Sequence, residues 1–195
     1  MKMFVKKWAM LGLVAAMGAS AMAQSDQENK KDEGRGRTYL GVKGGLYLPT
    51  NGEIRDIFGS SIVVFGLSVD DITRQADKWR LTADFDFITG KKDGNKFFAA
   101  PVTASIGKIF GNRGDNTRPY VRFGAGGAYY DYSITRPGTG ERFSTKRFGA
   151  SADAEVGVII GERFRVSAKY QWLSKADDFD FSGFQIVATY QIVKF

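Results

Sequence analysis

The sequence predicts an all-β fold: eight antiparallel strands in an up-and-down meander, closed into a transmembrane barrel with its apolar side facing lipid. Three observations carry this. From Trp79 to Phe87 the chain alternates without error, Trp79, Leu81, Ala83, Phe85 and Phe87 against Arg80, Thr82, Asp84 and Asp86. A strand sorts such residues onto two faces, whereas a helix, repeating about every 3.6 residues, cannot. From Thr38 onward Gly, Asn, Asp and Pro break the chain at short intervals, with no helical stretch between. Finally, an export signal opens the sequence.

That signal reads as an address. Lys2, Lys6 and Lys7 precede an apolar run from Trp8 to Ala16, and Ala21-Met22-Ala23 has the small-x-small form of a cleavage site, so residues 1–23 are expected to be removed on export. A membrane-anchoring helix fits less well, because spanning takes roughly 20 apolar residues and Gly12 and Gly18 interrupt this run. Cleavage removes three lysines and no acid, which takes the formal charge from +7 to +4. Residues 24–37 mix both signs of charge with almost nothing to bury, and predict a mobile periplasmic tail. The barrel domain is then 38–195. The chain has no cysteine and no histidine. Disulfides, thiol chemistry, Ser-His dyads and His-containing metal sites are therefore excluded.

The first strand, Thr38 to Pro49, sets Leu40, Val42, Leu46 and Leu48 against Tyr39, Lys43 and Tyr47. The second, Ser61 to Asp70, places Val63, Phe65, Leu67 and Val69 on one face, but Ile62 and Val64 make its other face apolar as well. The third is the alternating stretch from Trp79. A GKKDGN turn leads to the fourth, Lys96 to Phe110, with Phe98, Ala100, Val102, Ala104 and Ile106 outward. Pro101 removes a ladder donor there and predicts a bulge or local break.

The fifth, Arg118 to Ser133, alternates Val121, Phe123, Ala125 and Tyr129 with Arg122, Gly124, Gly126 and Tyr130. In the sixth, Lys146 to Ile160, outward Phe148, Ala150, Ala152, Ala154, Val156 and Val158 oppose Ser151, Asp153 and Glu155. The seventh, Phe164 to Ser174, opposes Phe164, Val166, Ala168, Tyr170 and Trp172 to Arg165, Ser167, Lys169 and Gln171. For both apolar sets to share a face the hairpin needs an odd loop, and Gly161-Glu162-Arg163 supplies it. That register sets Glu155 across from Lys169 and Ile159 across from Arg165, and predicts a carboxylate-ammonium meeting inside. The eighth, Phe181 to Lys194, turns Phe184, Ile186, Ala188, Tyr190 and Ile192 outward.

An even strand number puts both termini at one end. The connections 50–60, 90–95, 134–145 and 175–180 gather at the other end, and their greater average length marks them as extracellular. Trp79, Phe110, Tyr120 and Phe164 then fall near the periplasmic rim, with Phe87, Phe98, Tyr129, Phe148 and Trp172 near the outer one. Two aromatic belts result, as a bilayer-spanning barrel requires.

With its signal peptide, the alternating WRLTADFDF and RFRVSAKYQW strands, the RPYVRFGAGGAYY strand and the terminal Phe195, the chain resembles the small eight-stranded outer-membrane barrels of Gram-negative bacteria, of the OmpX, OmpW and OmpA-barrel kind. The resemblance covers Thr38 to Phe195 as a pattern. It implies outer-membrane lipid and lipopolysaccharide as surroundings, Phe195 as the signal read by the insertion machinery, a monomer, and no cofactor or nucleic acid. Phe195 has the wrong parity for the outward face of the last strand unless that strand bulges near its end.

The inward charges are Lys43, Arg80, Arg122, Arg165 and Lys169 against Asp84, Asp86, Asp153 and Glu155. Asp84 and Asp86, roughly 7 Å apart along a strand, have the residue types of a glycosidase pair. A structural ion-pair core is the better reading, since eight strands leave an interior just wide enough for side chains and buried charge is tolerated when paired. Arg113-Gly114-Asp115 reads as turn chemistry rather than as an adhesion tripeptide, and Asp177, Asp178 and Asp180 as a solvated acidic loop rather than a cation site. Gly124, Gly126 and Gly127 lack phosphate-loop spacing and read as strand packing. Lys91, Lys92, Arg136, Arg142, Lys146 and Arg147 gather at the outer end and are expected to meet lipopolysaccharide phosphates.

These readings favour a non-enzymatic barrel with a plugged lumen, working in envelope integrity or surface contact. A passage for small apolar solutes with a lateral exit, as the resemblance to OmpW implies, has Ile62, Val64 and Pro101 as its sequence support. Lipid A modification is disfavoured, because the catalytic histidine of such relatives has no counterpart here. A soluble calycin-like barrel would need an apolar interior, against the charged faces of the third, sixth and seventh strands.

Overall fold

The computed structural model describes residues 39–70, 79–112, 114–161 and 163–194, with Val193 and Lys194 described by their backbone alone. The expected signal peptide, the tail 24–37 and Phe195 lie outside these residues. Eight strands run in order: β1 (Tyr39–Pro49), β2 (Ile62–Asp70), β3 (Arg80–Lys92), β4 (Asn95–Ile109), β5 (Thr117–Thr135), β6 (Arg142–Ile160), β7 (Phe164–Leu173) and β8 (Gly183–Lys194). Each pairs antiparallel with the next, and β8 with β1, which closes the barrel. Closure leaves no strand edge along the spanning wall.

The faces sort as the alternation requires. Trp79, Leu81, Val166 and Trp172 are exposed on the outer wall, and Phe148 reaches 69% exposure. Lys43, Asp84, Asp86, Arg122, Asp153, Glu155, Arg165 and Lys169 are buried inside, Lys169 at 2%. A soluble ligand-binding barrel would reverse these faces. Of the belt residues, Trp79, Phe148, Phe164 and Trp172 are exposed and Phe87, Phe98 and Tyr129 half-buried. Neighbouring rings meet along the wall, Phe65 on Phe87 at 5.4 Å and Tyr129 on Phe148 at 5.2 Å. Tyr120 corrects the belt assignment. It is even-numbered on a strand whose even residues face in, and it is buried.

The β6–β7 register is the expected one, with Glu155 opposite Lys169 and Ile159 opposite Arg165. At Pro101 the β3–β4 ladder lapses over Asp86 and Phe87 and resumes in the same register, a local break without a bulge. The bulge is in β8. Leu40 pairs with Val193 and Gly41 with Gln191, so Ile192 is an extra residue at the strand end, the displacement that the parity of the last residue calls for.

The connection between β1 and β2 departs from expectation, for it holds a short helix, α1 (Gly52–Phe58). The Asn51 side chain caps it by accepting from the Glu53 and Ile54 N–H groups at 2.8 and 3.3 Å. Ile54, Ile57 and Phe58 share one buried stripe. They turn into the barrel mouth.

A filled lumen beneath a loop cap

The interior has three layers. At the end where β1 begins and β8 finishes, Tyr39, Ile109, Tyr120 and Ile159 form a small apolar base. The middle is ionic, and the loop end is plugged by a larger apolar cluster that includes Tyr47, Ile62, Val64, Phe97, Tyr130 and Phe181. Ions therefore fill the middle of the lumen and not its whole length. The plug also reassigns Ile62 and Val64, whose apolar inner face packs against this cluster and not at a lateral opening.

The ionic layer is one continuous chain of contacts. Asp70 pairs with Arg165, which donates to Ser68 Oγ at 3.2 Å and lies over the Tyr120 ring at 5.3 Å. The Tyr120 hydroxyl donates to Glu155, Glu155 pairs with Arg122, and Arg122 pairs with Asp84. Lys43 then bridges Asp84 at 2.8 Å and Asp86 at 2.6 Å, and Lys169 completes the chain on Asp86. Four cations meet four carboxylates along this chain, and each of the eight charges is desolvated beside an opposite one.

Three details differ from the sequence expectation. Glu155 and Lys169 are cross-strand neighbours in the backbone, yet Glu155 bonds to Arg122 and Tyr120 while Lys169 reaches Asp86. Asp153 stands outside the chain of salt bridges, its buried carboxylate facing the Thr103 hydroxyl with Lys169 and Arg122 as the nearest opposite charges. Gly124 makes room for it, since a Cβ there would lie 2.5 Å from Asp153 Oδ2. Arg80 is half-buried beside a recess lined by Asp70, Thr82 and Arg165, whose volume of about 20 Å³ suits a single water. Asp70 and Tyr120 are members that sequence reasoning missed, although both have inward parity on their strands.

Above the plug, three connections lock together. Arg136, between β5 and β6, pairs with Glu53 of α1 at 2.8 Å and lies over the Phe143 and Phe179 rings at 4.7 and 5.0 Å. Phe179 belongs to the β7–β8 connection, as does Phe181, which stacks on Phe97 at 4.4 Å. In that connection Asp177 accepts from Tyr132 at 2.7 Å and Thr145 at 2.8 Å, and Arg147 lies 3.9 Å away. The Tyr132 hydrogen bond, followed by that of Thr145, holds the Asp177 carboxyl below its ordinary value.

These contacts redistribute the expected lipopolysaccharide cations. Arg136 is a strut within the cap, while Lys91, Lys92, Arg142, Lys146 and Arg147 are exposed at the loop end, Arg147 at 3.9 Å from Asp177. Arg142 leans on Ser133 Oγ at 3.0 Å and Lys146 on Asp131 at 3.3 Å. Asp177 is a bonded anchor and not simply a solvated acid, and among the described residues no group of three or more His, Cys, Asp or Glu is placed to hold a metal ion. Asp115 closes its own turn by accepting from the Asn112 N–H at 2.6 Å, which is turn chemistry; Arg113 lies outside the described residues. Gly126 is a packing glycine, because a Cβ would lie 1.9 Å from the Val102 carbonyl, whereas a Cβ at Gly127 would meet the Gly149 carbonyl at an ordinary 3.6 Å.

Solved structures with the same architecture share little sequence with this chain. Neisserial surface protein A is 12% identical over 82% of this chain and 99% of its own, with a TM-score of 0.57. The outer membrane enzyme PagL is 13% identical over 78% and 99%, at 0.54. Ail, the attachment invasion locus protein of Yersinia pestis, is 16% identical over 82% and 99%, at 0.53. Among curated proteins, none matches the sequence. The family model for the outer membrane protein beta-barrel domain matches residues 11–191. A closed wall with lipid-facing rings, an ion-paired interior and this match agree: the chain belongs to the outer membrane protein beta-barrel family.

Proposed function

We propose that this protein is a non-enzymatic outer-membrane barrel whose work is done at its loop end, in envelope integrity and surface contact. The observation that carries this reading is the closure of the lumen, an ionic layer held between an apolar base and an apolar plug. Such an interior has no room for a substrate and no continuous water path for a solute. The absence of histidine from the sequence removes the commonest general base. The cap, braced by Arg136 and Asp177, offers a firm surface. In this reading the loop end faces outward, and Lys91, Lys92, Arg142 and Lys146 meet lipopolysaccharide phosphates.

Planar-bilayer recording tests the reading. The full chain should insert without steady conductance, and exchange of the loops 50–61, 136–141 and 174–182 should abolish adhesion of expressing cells. Stable channels, or adhesion indifferent to the loops, would overturn it. A second reading, a lateral passage for small apolar solutes, keeps one favourable observation, the lapse in the β3–β4 ladder at Pro101. Uptake of such solutes that Pro101→Ala suppresses would favour it.

A further inference from the structure

The recess beside Arg80 lies where the ionic layer meets the apolar base. Its wall carries three guanidinium groups, Arg80 of β3, Arg122 of β5 and Arg165 of β7, and a single carboxylate, Asp70. Asp70 is engaged by Arg165, and the carboxylates that pair with Arg122, Asp84 and Glu155, stand outside the lining. Ile109 and Ile159 of the base form another part of the wall, so charge inside it is poorly screened. Arg122 and Arg165 are each 3% exposed, and the Nε–H of each finds no acceptor among the described residues. Buried donors normally find one, and a charged donor left without an acceptor is the more costly case. Arg118, two residues before Tyr120 on β5, adds a further buried guanidinium whose Nε is likewise unpartnered.

Size and chemistry together limit the occupant. A volume of about 20 Å³ admits one water-sized sphere and neither phosphate nor sulfate. A water molecule would accept from these donors but would also have to place two protons of its own among cations. The nearby side-chain oxygens are already taken, Asp70 by Arg165 and Thr82 Oγ by Arg122 at 3.5 Å. A monatomic anion has no proton to place and offsets the surplus positive charge of the wall. We infer that the recess binds a single halide ion, chloride in the cell envelope, which accepts from the Nε–H groups of Arg122 and Arg165 and is drawn in by the charge of Arg80. Half-buried Arg80 keeps the recess in exchange with solvent. The bound ion joins β3, β5 and β7 at the base, a closure of the lumen separate from the loop cap and independent of what the loop end contacts.

The test unfolds the full chain from phospholipid vesicles in urea while sodium chloride replaces sodium gluconate at constant ionic strength, so that general screening is unchanged. Chloride and bromide should raise the urea midpoint with the logarithmic dependence of a ligand bound only to the folded state. Gluconate, too large for the recess, should not. Arg80→Gln should weaken the apparent halide affinity about tenfold, read from the halide-dependent part of the midpoint so that any general loss of stability cancels. Crystals of the unaltered chain grown in sodium bromide should show an anomalous-scattering peak in the recess beside Arg122 and Arg165. That readout decides the matter should Arg80→Gln fail to fold. Equal midpoints in chloride and gluconate, an undiminished halide effect in Arg80→Gln, or bromide only at other places overturns the inference.

Discussion

Lys169 crosses the lumen from β7 to Asp86 on β3, passing by Glu155, the residue opposite it in the ladder. Lys43 already holds the other oxygen of Asp86 at 2.6 Å, so the carboxylate is clamped between two ammonium groups. A buried pair of this kind costs desolvation on both sides, and removal of one member leaves the other exposed to that cost.

Lys169→Met should therefore destabilise the barrel by about 3–5 kcal/mol, read as a lowered urea midpoint for unfolding from lipid vesicles. Adding Asp86→Asn should restore part of that loss, because the remaining Lys43 keeps Asp84 as its partner. Additive losses in the double variant would show that the two residues are uncoupled.

Asp153 has the opposite sign. Its buried carboxylate makes no salt bridge and has only the Thr103 hydroxyl and the more distant Lys169 and Arg122 facing it, so Asp153→Asn, which removes the buried charge and keeps the shape, should raise stability by about 1 kcal/mol in the same assay. A drop of similar size would mean that Thr103 and the two cations satisfy the carboxylate where it stands.

Arg136→Ala removes one salt bridge and two ring contacts that join the cap. The expected loss is about 1–2 kcal/mol, confined to the loop end. Hydrogen exchange should quicken in residues 174–182 and stay unchanged in the lower halves of β3 and β6. Uniform quickening along the wall would contradict a local role.

Acid should loosen the same cap. The folded Asp177 carboxyl sits below its ordinary value, so its hydrogen bonds contribute stability above the unfolded value of about 3.9, and that contribution is lost as pH falls through the folded value. The side chain is about a third exposed, which keeps the effect small. Protection in residues 174–182, measured against the intrinsic exchange rate at each pH, should fall below about pH 4, and Asp177→Asn should remove the Asp177 share of that pH dependence.

The wall was legible from residue order because strand parity is strict: Arg122, Asp153, Arg165 and Lys169 face in as their positions require. Asp70 and Tyr120 obeyed the same parity and were readable by it. The partners were not. Lys169 has a long flexible stem and several carboxylates within reach on strands that are not its neighbours, and no local pattern chooses among them. The plug was half visible in Ile62 and Val64, whose two-sided apolarity marks the level where the interior changes from ionic to aromatic. Helix α1 carried its own signal, an Asn51 cap before Ile54, Ile57 and Phe58, but is shorter than the window over which helical periodicity stands out.

The pairing of Asp70 with Arg165 spans 95 residues of sequence. Neither charge can find its mate while the sheet is still open, and the same holds for Lys169 of β7 and Asp86 of β3, 83 residues apart. A partly assembled wall would present bare ions along one surface to whatever adjoined it, at a cost of several kcal/mol for each ion that hydrocarbon touched. Insertion and sealing must therefore advance together, and any factor that delivers this chain has to shelter that surface until the first and last strands join.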